Sequence, residues 1–232
     1  MEIRQYRQVQ AIAKAAMKEM ETRLEPGMSL REAKTLCEKM MRGMGADSFW
    51  YWDIGAFCFS GDETARSVSG RDYRVSDRRI QEDDMITMDL SPQVRGIWGD
   101  YARTIVLEHG KVVKTIGDIS NPQWKSGLLM EEQLHLELTK FVRPATTFEE
   151  LYLFINSLIT ARGFCNLDFM GNLGHSIETS KEARIYIERG NTALLSQAGL
   201  FTFEPHIGRK NSPYGYKRED IYYFSDGTLK RL

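Results

Sequence analysis

The feature that most constrains this chain is a set of acids placed in or beside apolar runs. Asp89 sits between Met88 and Leu90, and Asp100 heads a second run through Ile105 and Leu107. Glu204 follows Phe201 and Phe203, and Glu219 precedes Ile221 and Tyr223, with His175 between the two pairs of acids. A buried carboxylate without a partner is costly, so four acids in such settings require cations or basic groups close by. Carboxylates can bridge two metals, neutralise their charge and leave positions open for water. Four of them with one imidazole therefore suit two divalent cations, of the kind Mn, Fe, Co or Zn. Any one of the acids alone reads equally well as a strand-end residue in an ordinary loop; all five residues together do not.

Local signals place those residues. Ile3, Tyr6, Val9, Ile12, Ala16, Met17 and Met20 recur at helical spacing and predict an amphipathic helix over residues 3–24. Ser29 with Glu32 forms a capping box opening a second helix to about Arg42, where Gly43 and Gly45 stop it. The aromatic stretch 49–60 reads as strand, with Tyr51, Trp52 and Phe57 as candidates to line a pocket. Trp98, between the two aspartates, is expected to shape the pocket mouth or to pack in the hairpin. Asn121 and Pro122 predict a helix running to about Val142, and Thr147 with Glu150 another ending at Gly163. From Asn166 the chain reads as strands and turns, closing with an Asp226-Gly227 hairpin signal. The order is helices, strands with an acid pair, helices, strands with an acid pair. It predicts an α+β fold of two similar halves with the acids between them. Asp89 and Asp100 can face one point only if their strand registers match, because residues of equal parity share a face.

Composition narrows the function classes. With 31 Lys and Arg against 32 Asp and Glu, the net charge of −1 gives no pull toward nucleic acid or acidic membranes. The charged opening residues lack the apolar core of a signal peptide, and no apolar run approaches the ~20 residues needed to span a bilayer. Cys37, Cys58 and Cys165 show neither metal nor redox spacing; they fit a reducing cytoplasm and are expected to pack as small hydrophobes. One domain over 1–232 is the simplest organisation.

The acids stand in motifs that resemble the pita-bread metallopeptidases, the family M24 of methionine aminopeptidases, prolidases and creatinase. Asp89 is followed eleven positions later by Asp100, with Arg103 and Thr104 just beyond; then come Gly174-His175, Phe203-Glu204-Pro205 and Arg218-Glu219-Asp220. The resemblance runs over nearly the whole chain and implies the pita-bread fold around a central metal site. It implies that Asp89 holds one metal ion, His175 and Glu204 the other, and that Asp100 and Glu219 bridge them. Glu204 is then also the residue to shuttle the proton. The chain departs from the pattern at two auxiliary histidines. Family members keep one before the first aspartate, where counting back reaches Arg71 or Asp72 here. They keep another seven residues after the Gly-His motif, where ungapped counting reaches Glu182. An ionised carboxylate cannot donate to an oxyanion as an imidazole can. Asp72 and Glu182 are therefore candidates for contacting a cationic substrate or transferring protons, or are solvated loop acids. His206, just after Glu204 and Pro205, is a candidate to help the substrate, or a hydrogen-bond partner behind the site.

Three functions are open at this point. The first is a cytoplasmic dinuclear metallohydrolase cleaving a peptide or amide bond, manganese being one fitting metal. The second is a creatinase-like hydrolase of a non-peptide C–N bond, a tailoring enzyme on a small molecule. The third is a non-catalytic binding protein of the same shape. The expected partner is a peptide or small-molecule amide, with no nucleic acid and no membrane, and a homodimer is left open.

Overall fold

The structure, a computed structural model, describes residues 3–232. Helices α1 (Ile3–Arg23) and α2 (Leu30–Gly43) come first, followed by strands β1 (Ser48–Phe49), β2 (Ala56–Ser60), β3 (Asp84–Leu90), β4 (Pro92–Val94), β5 (Ile97–Trp98), β6 (Tyr101–Glu108) and β7 (Lys111–Val112). Helices α3 (Pro122–Phe141) and α4 (Phe148–Ala161) follow, then β8 (Phe164–Asn166), β9 (Leu200–Phe203), β10 (His206–Arg209), β11 (Gly215–Lys217), β12 (Asp220–Ser225) and β13 (Thr228–Arg231). The helix starts follow their capping residues. Ser29 and Thr147 each close a full capping box, and the Asn121 side chain accepts from the amides of Gln123 and Trp124.

Strand register determines where the acids point. In the sheet β2-β3-β6-β7 the partners are antiparallel, with Phe57 opposite Asp89 and Asp89 opposite Ala102. Phe57, Thr87, Asp89, Ala102 and Thr104 therefore share one face, and Asp100 lies two residues before Ala102 with the same parity. The opposite face carries Ile86, Met88, Leu90, Ile105 and Leu107 and buries them against α1 and α2. In the sheet β9-β12-β13, Phe203 pairs with Asp220 and Thr202 with Ile221. Continuing that register by one step sets Glu204 beside Glu219. Helices α3 and α4 cover this second sheet through Leu134, Leu138, Leu151 and Ile155 packed with Phe201, Phe203 and Tyr222. The expected two-half α+β arrangement is thus observed, with acids at the inner edges of both sheets.

The halves meet directly at those edges. The Glu219 amide donates to the Ala102 carbonyl at 2.9 Å. The Arg103 guanidinium reaches across to the Glu219 carbonyl at 2.7 Å and the Asp220 carboxylate at 2.8 Å. Because Asp220 is buried and multiply bonded, this crossing is worth more than a surface ion pair.

Two expectations are corrected. The aromatic stretch 49–60 is not one strand, because Trp52 and Asp53 adopt φ of 57° and 56° and turn the chain between β1 and β2. Cys165 is exposed, while Cys37 and Cys58 are buried as expected. The closing turn carries its expected residues: Asp226 and Gly227, at φ 51° and 71°, join β12 to β13 with the two positive φ values of a type I′ turn.

Candidate metal centre

Asp89, Asp100 and Glu219 converge so closely that one ligand atom from each lies within 4.8 Å of the others. Each is aimed by its backbone. Gln10, buried on α1, clamps Asp100 from behind: its Nε2 donates to the Asp100 carbonyl at 2.6 Å and its Oε1 accepts the Asp100 amide at 2.9 Å. Glu219 is buried, and among the described residues neither carboxylate oxygen has a hydrogen-bond partner. Burial, followed by the neighbouring acids Asp89 and Glu204, raises the Asp100 carboxyl well above the usual range. Burial and then Asp100 do the same to Glu219.

His175 completes the ring from the other half. It depends on Gly174, whose φ of 139° and whose missing Cβ, only 2.4 Å from the Thr202 carbonyl if present, admit no other residue. The His175 amide donates to Thr202 Oγ1 at 3.0 Å, and its Nδ1–H donates to the Ser176 carbonyl at 2.8 Å. That fixes the tautomer and leaves Nε2 as a lone pair, 3.6 Å from both Asp100 and Glu204. Burial lowers the imidazole to about 4, so it is neutral at ordinary pH.

Sequence reasoning missed the cation inside this ring. Lys217 Nζ donates to Asp89 at 2.6 Å and contacts Glu204 at 2.9 Å. Burial disfavours the ammonium, but Asp89 and then Glu204 outweigh it and raise Lys217 well above its ordinary value. Burial likewise pushes Glu204 up, yet Lys217 and His175 hold it below the usual carboxylate range. The signal available was proximity alone: Lys217 stands two residues before Glu219.

The centre lies in a cavity of about 540 Å³. Tyr51, Trp52 and Phe57 line it as expected, and Trp98 is buried beneath, stacked on Trp50 at 4.3 Å. Asp72 lies at the rim, its side chain 65% exposed and 3.8 Å from Arg71. Glu182 is not in the site. The backbone bridges His175 with Tyr186 and Ser176 with Ile185, so the intervening chain loops out and Glu182 is exposed in the turn Lys181–Ala183. The same bridging turns Arg184 and Tyr186 toward the cavity. The Arg184 guanidinium lies 5.3 Å from the rings of Trp50, Tyr51 and Tyr186, and no carboxylate among the described residues pairs with it. His206 lines the cavity, but its Nε2–H is spent on the Thr64 carbonyl at 2.8 Å, and burial lowers it to about 4. A neutral ring so bonded presents no donor toward substrate, so His206 braces the loop at Thr64.

Cys58 is buried at 1% exposure, and burial lifts its thiol well above the ordinary range, which removes it as a nucleophile. No helix among the described residues is long and apolar enough to cross a membrane.

Comparison with known proteins agrees with this geometry. The sequence profile of metallopeptidase family M24 matches residues 4–226. A methionine aminopeptidase of Helicobacter pylori is 28% identical over 220 residues, covering 90% of this chain and 80% of that protein. Methionine aminopeptidase A of Synechocystis is 28% identical over 211 residues, covering 89% and 78%. Among solved structures, the prolidase of Pyrococcus furiosus superposes with a TM-score of 0.82 at 22% identity, and the X-Pro aminopeptidase of Thermotoga maritima with 0.81 at 20%. Each covers 99% of this chain, which spans 63% and 60% of their respective lengths.

Proposed function

This chain belongs to metallopeptidase family M24 and has its pita-bread fold, and from that premise we propose that it is a metal-dependent hydrolase of a peptide or small-molecule amide. In this reading Asp89, Asp100, His175, Glu204 and Glu219 hold two divalent cations. The observation that carries it is Glu219, whose two buried carboxylate oxygens have no partner among the described residues while Asp100 and Asp89 crowd beside it. Crowded buried acids with unmet acceptors, beside an imidazole whose lone pair faces them, form a donor set that fits metal ions, with the Lys217 ammonium engaging only Asp89 and Glu204.

Bound there, the ions would polarise a scissile carbonyl and supply a nucleophilic water at neutral pH. The protein's own groups do the rest. Glu204 is ionised at the cavity wall and is the base that takes the water's proton and passes it to the departing nitrogen. Thr202 Oγ1 donates to Glu204 Oε1 at 3.1 Å and holds it in place. His175 stays neutral and fixed through its Ser176 bond. Trp50, Tyr51 and Phe57 exclude water from the wall, and Arg184, without an acid partner, binds a carboxylate or carbonyl of the substrate.

A second reading keeps the centre and changes the bond broken: a non-peptide C–N bond of a small molecule. The structure's support for it is the cavity itself, whose walls offer Arg184 and aromatic rings where the related peptidases are expected to offer two histidines. Two measurements test these readings. Elemental analysis before and after loading with Mn or Zn should give about two ions per chain, and none in either sample would sink both. Glu204→Gln should lower turnover by roughly 10²–10⁴-fold while leaving the fold intact by circular dichroism. A panel of peptides against ureas, amidines and modified amino acids then separates them, and rapid general peptide cleavage rules out the second.

A further inference from the structure

Three large apolar side chains at the mouth of the metal cavity are left to solvent. Trp52 is 45% exposed, Phe169 52% and Met170 54%, yet all three line the cavity that holds the proposed centre. Residues 67–70 join them into one rim. Ser67 Oγ accepts the Phe169 amide at 3.1 Å, and Val68 faces the cavity. Gly70 lies so close to Trp52 that a Cβ there would stand 2.6 Å from its ring. Single exposed apolar residues are ordinary, but a contiguous group around a cavity mouth marks a surface that a ligand covers.

The charged residues of the rim are already engaged. Arg66 pairs with Glu63 at 3.6 Å, and Arg71 with Asp72 at 3.8 Å. The Asp168 carboxylate turns back into its own loop, where Oδ1 accepts the amides of Met170 at 2.9 Å and Asn172 at 3.1 Å. The unpaired charge lies deeper. Arg184 Nε–H donates to the Lys181 carbonyl at 2.9 Å, which orients the guanidinium and leaves its terminal nitrogens without a partner among the described residues. Trp50 connects it to the centre, its ring 5.3 Å from the guanidinium carbon and 5.5 Å from the His175 ring. A ligand that answers both features carries a carboxylate inward and a bulky apolar group outward.

We infer that Trp52, Phe169 and Met170 form a specificity rim that seats a bulky apolar group of the substrate while Arg184 holds its carboxylate. The preferred substrates are then amphiphilic acids, not small polar amides. This deepens the proposed function and rests on its reading of Arg184, but it does not rest on turnover.

Calorimetry on the full, Mn-loaded chain with 4-phenylbutanoate, propanoate and 4-phenylbutan-1-ol tests it. None of the three has a bond to hydrolyse, so a chain that binds them as expected and cleaves no amide loses the hydrolase reading and keeps this one. 4-Phenylbutanoate should bind roughly 5- to 15-fold more tightly than propanoate, the worth of half burying a phenyl group. It should also bind more tightly than the alcohol, which lacks the charge. The double variant Phe169→Ser, Met170→Ser should remove most of the gap between the acids and leave propanoate unchanged, whereas Arg184→Leu should weaken both acids together. Both rim side chains are more than half exposed, so the double variant should keep the wild-type fold by circular dichroism. Equal affinities for the two acids overturn the inference, and so does a gap that survives the double variant. Acid binding indifferent to Arg184→Leu overturns it as well, since the carboxylate would then sit on the metal. Sedimentation covers the other occupant: a dimer that the double variant splits, with no gap between the acids, would make the rim an interface between copies.

Discussion

Replacing Lys217 by Met should make the protein's stability depend on metal far more than the wild type's does. In the metal-free chain Lys217 is the only cation bonded to the acids of the centre among the described residues, touching Asp89 at 2.6 Å and Glu204 at 2.9 Å. Methionine keeps the length of the stem and removes the charge. Breaking a buried pair from one side costs about 3–5 kcal/mol, because it strands the other charge. The Asp89 and Glu204 side chains keep 22% and 16% of their exposure, so water screens part of that and about 2–4 kcal/mol remains. For a chain of 232 residues the unfolding entropy near the midpoint is about 0.5 kcal/mol/K. The metal-free variant should therefore melt about 4–8 °C below the wild type. Saturating Mn or Zn supplies the missing positive charge, so the gap should shrink to within about 2 °C by the linkage between binding and stability. Scanning calorimetry of EDTA-treated and metal-loaded samples of both proteins measures all four midpoints. A variant that loses the same few degrees with and without metal would refute the reasoning, since Lys217 would then be a packing residue and not a counter-charge.

Other substitutions probe separate parts of the argument. Arg184→Leu should lower kcat/KM by roughly 10- to 100-fold for substrates ending in a free carboxylate and much less for their amide-capped forms; equal losses on both would remove its binding role. Gly174→Ala should unfold or severely destabilise the chain, because its Cβ would lie 2.4 Å from the Thr202 carbonyl and neither backbone can yield without displacing His175; a soluble variant with wild-type melting would contradict the packing. Burial lowers His135 to about 3, with Nε2–H donating to the Arg218 carbonyl and Nδ1 accepting from Tyr222. The folded state therefore keeps this ring neutral where the unfolded chain takes up a proton. The associated stability is present above about pH 6.5 and is lost as pH falls from there toward the folded value. Between pH 6.5 and 4.5 the wild type should lose about 2 kcal/mol more than His135→Gln in urea titrations; parallel losses would mean that His135 does not carry the effect.

Much of the fold was legible because its signals are local. Ser29 with Glu32 and Thr147 with Glu150 announce helix starts through bonds within one turn, and Asp226-Gly227 announces its hairpin through two φ values. The break inside 49–60 was not legible. Aromatic residues favour strands, but here Trp52 and Asp53 are forced into a left-handed turn, with Trp52 stacked under the Lys181 ammonium at 3.9 Å. That contact comes from a segment far away in sequence, and no window along the chain could reveal it.

The site shows the same division between what counting can and cannot reach. Parity places Asp89 and Asp100 on one face once the β3–β6 register is known, whereas Lys217 enters the site from the end of β11, just before the chain crosses to β12. Counting seven residues from His175 reached Glu182, and it failed because spacing is transferable only while the backbone path is. Here the pairing of Ser176 with Ile185 and of His175 with Tyr186 lengthens the hairpin and expels Glu182 to solvent. The residues delivered to the cavity are Arg184 and Tyr186, and Arg184 sets a permanent cation on that wall where an imidazole would titrate. A permanent cation favours an anionic group on the bound substrate, whereas a neutral imidazole serves an uncharged amide equally well. The departure from the family pattern is thus a reason to look for substrates bearing a carboxylate, and no reason to infer a lost activity.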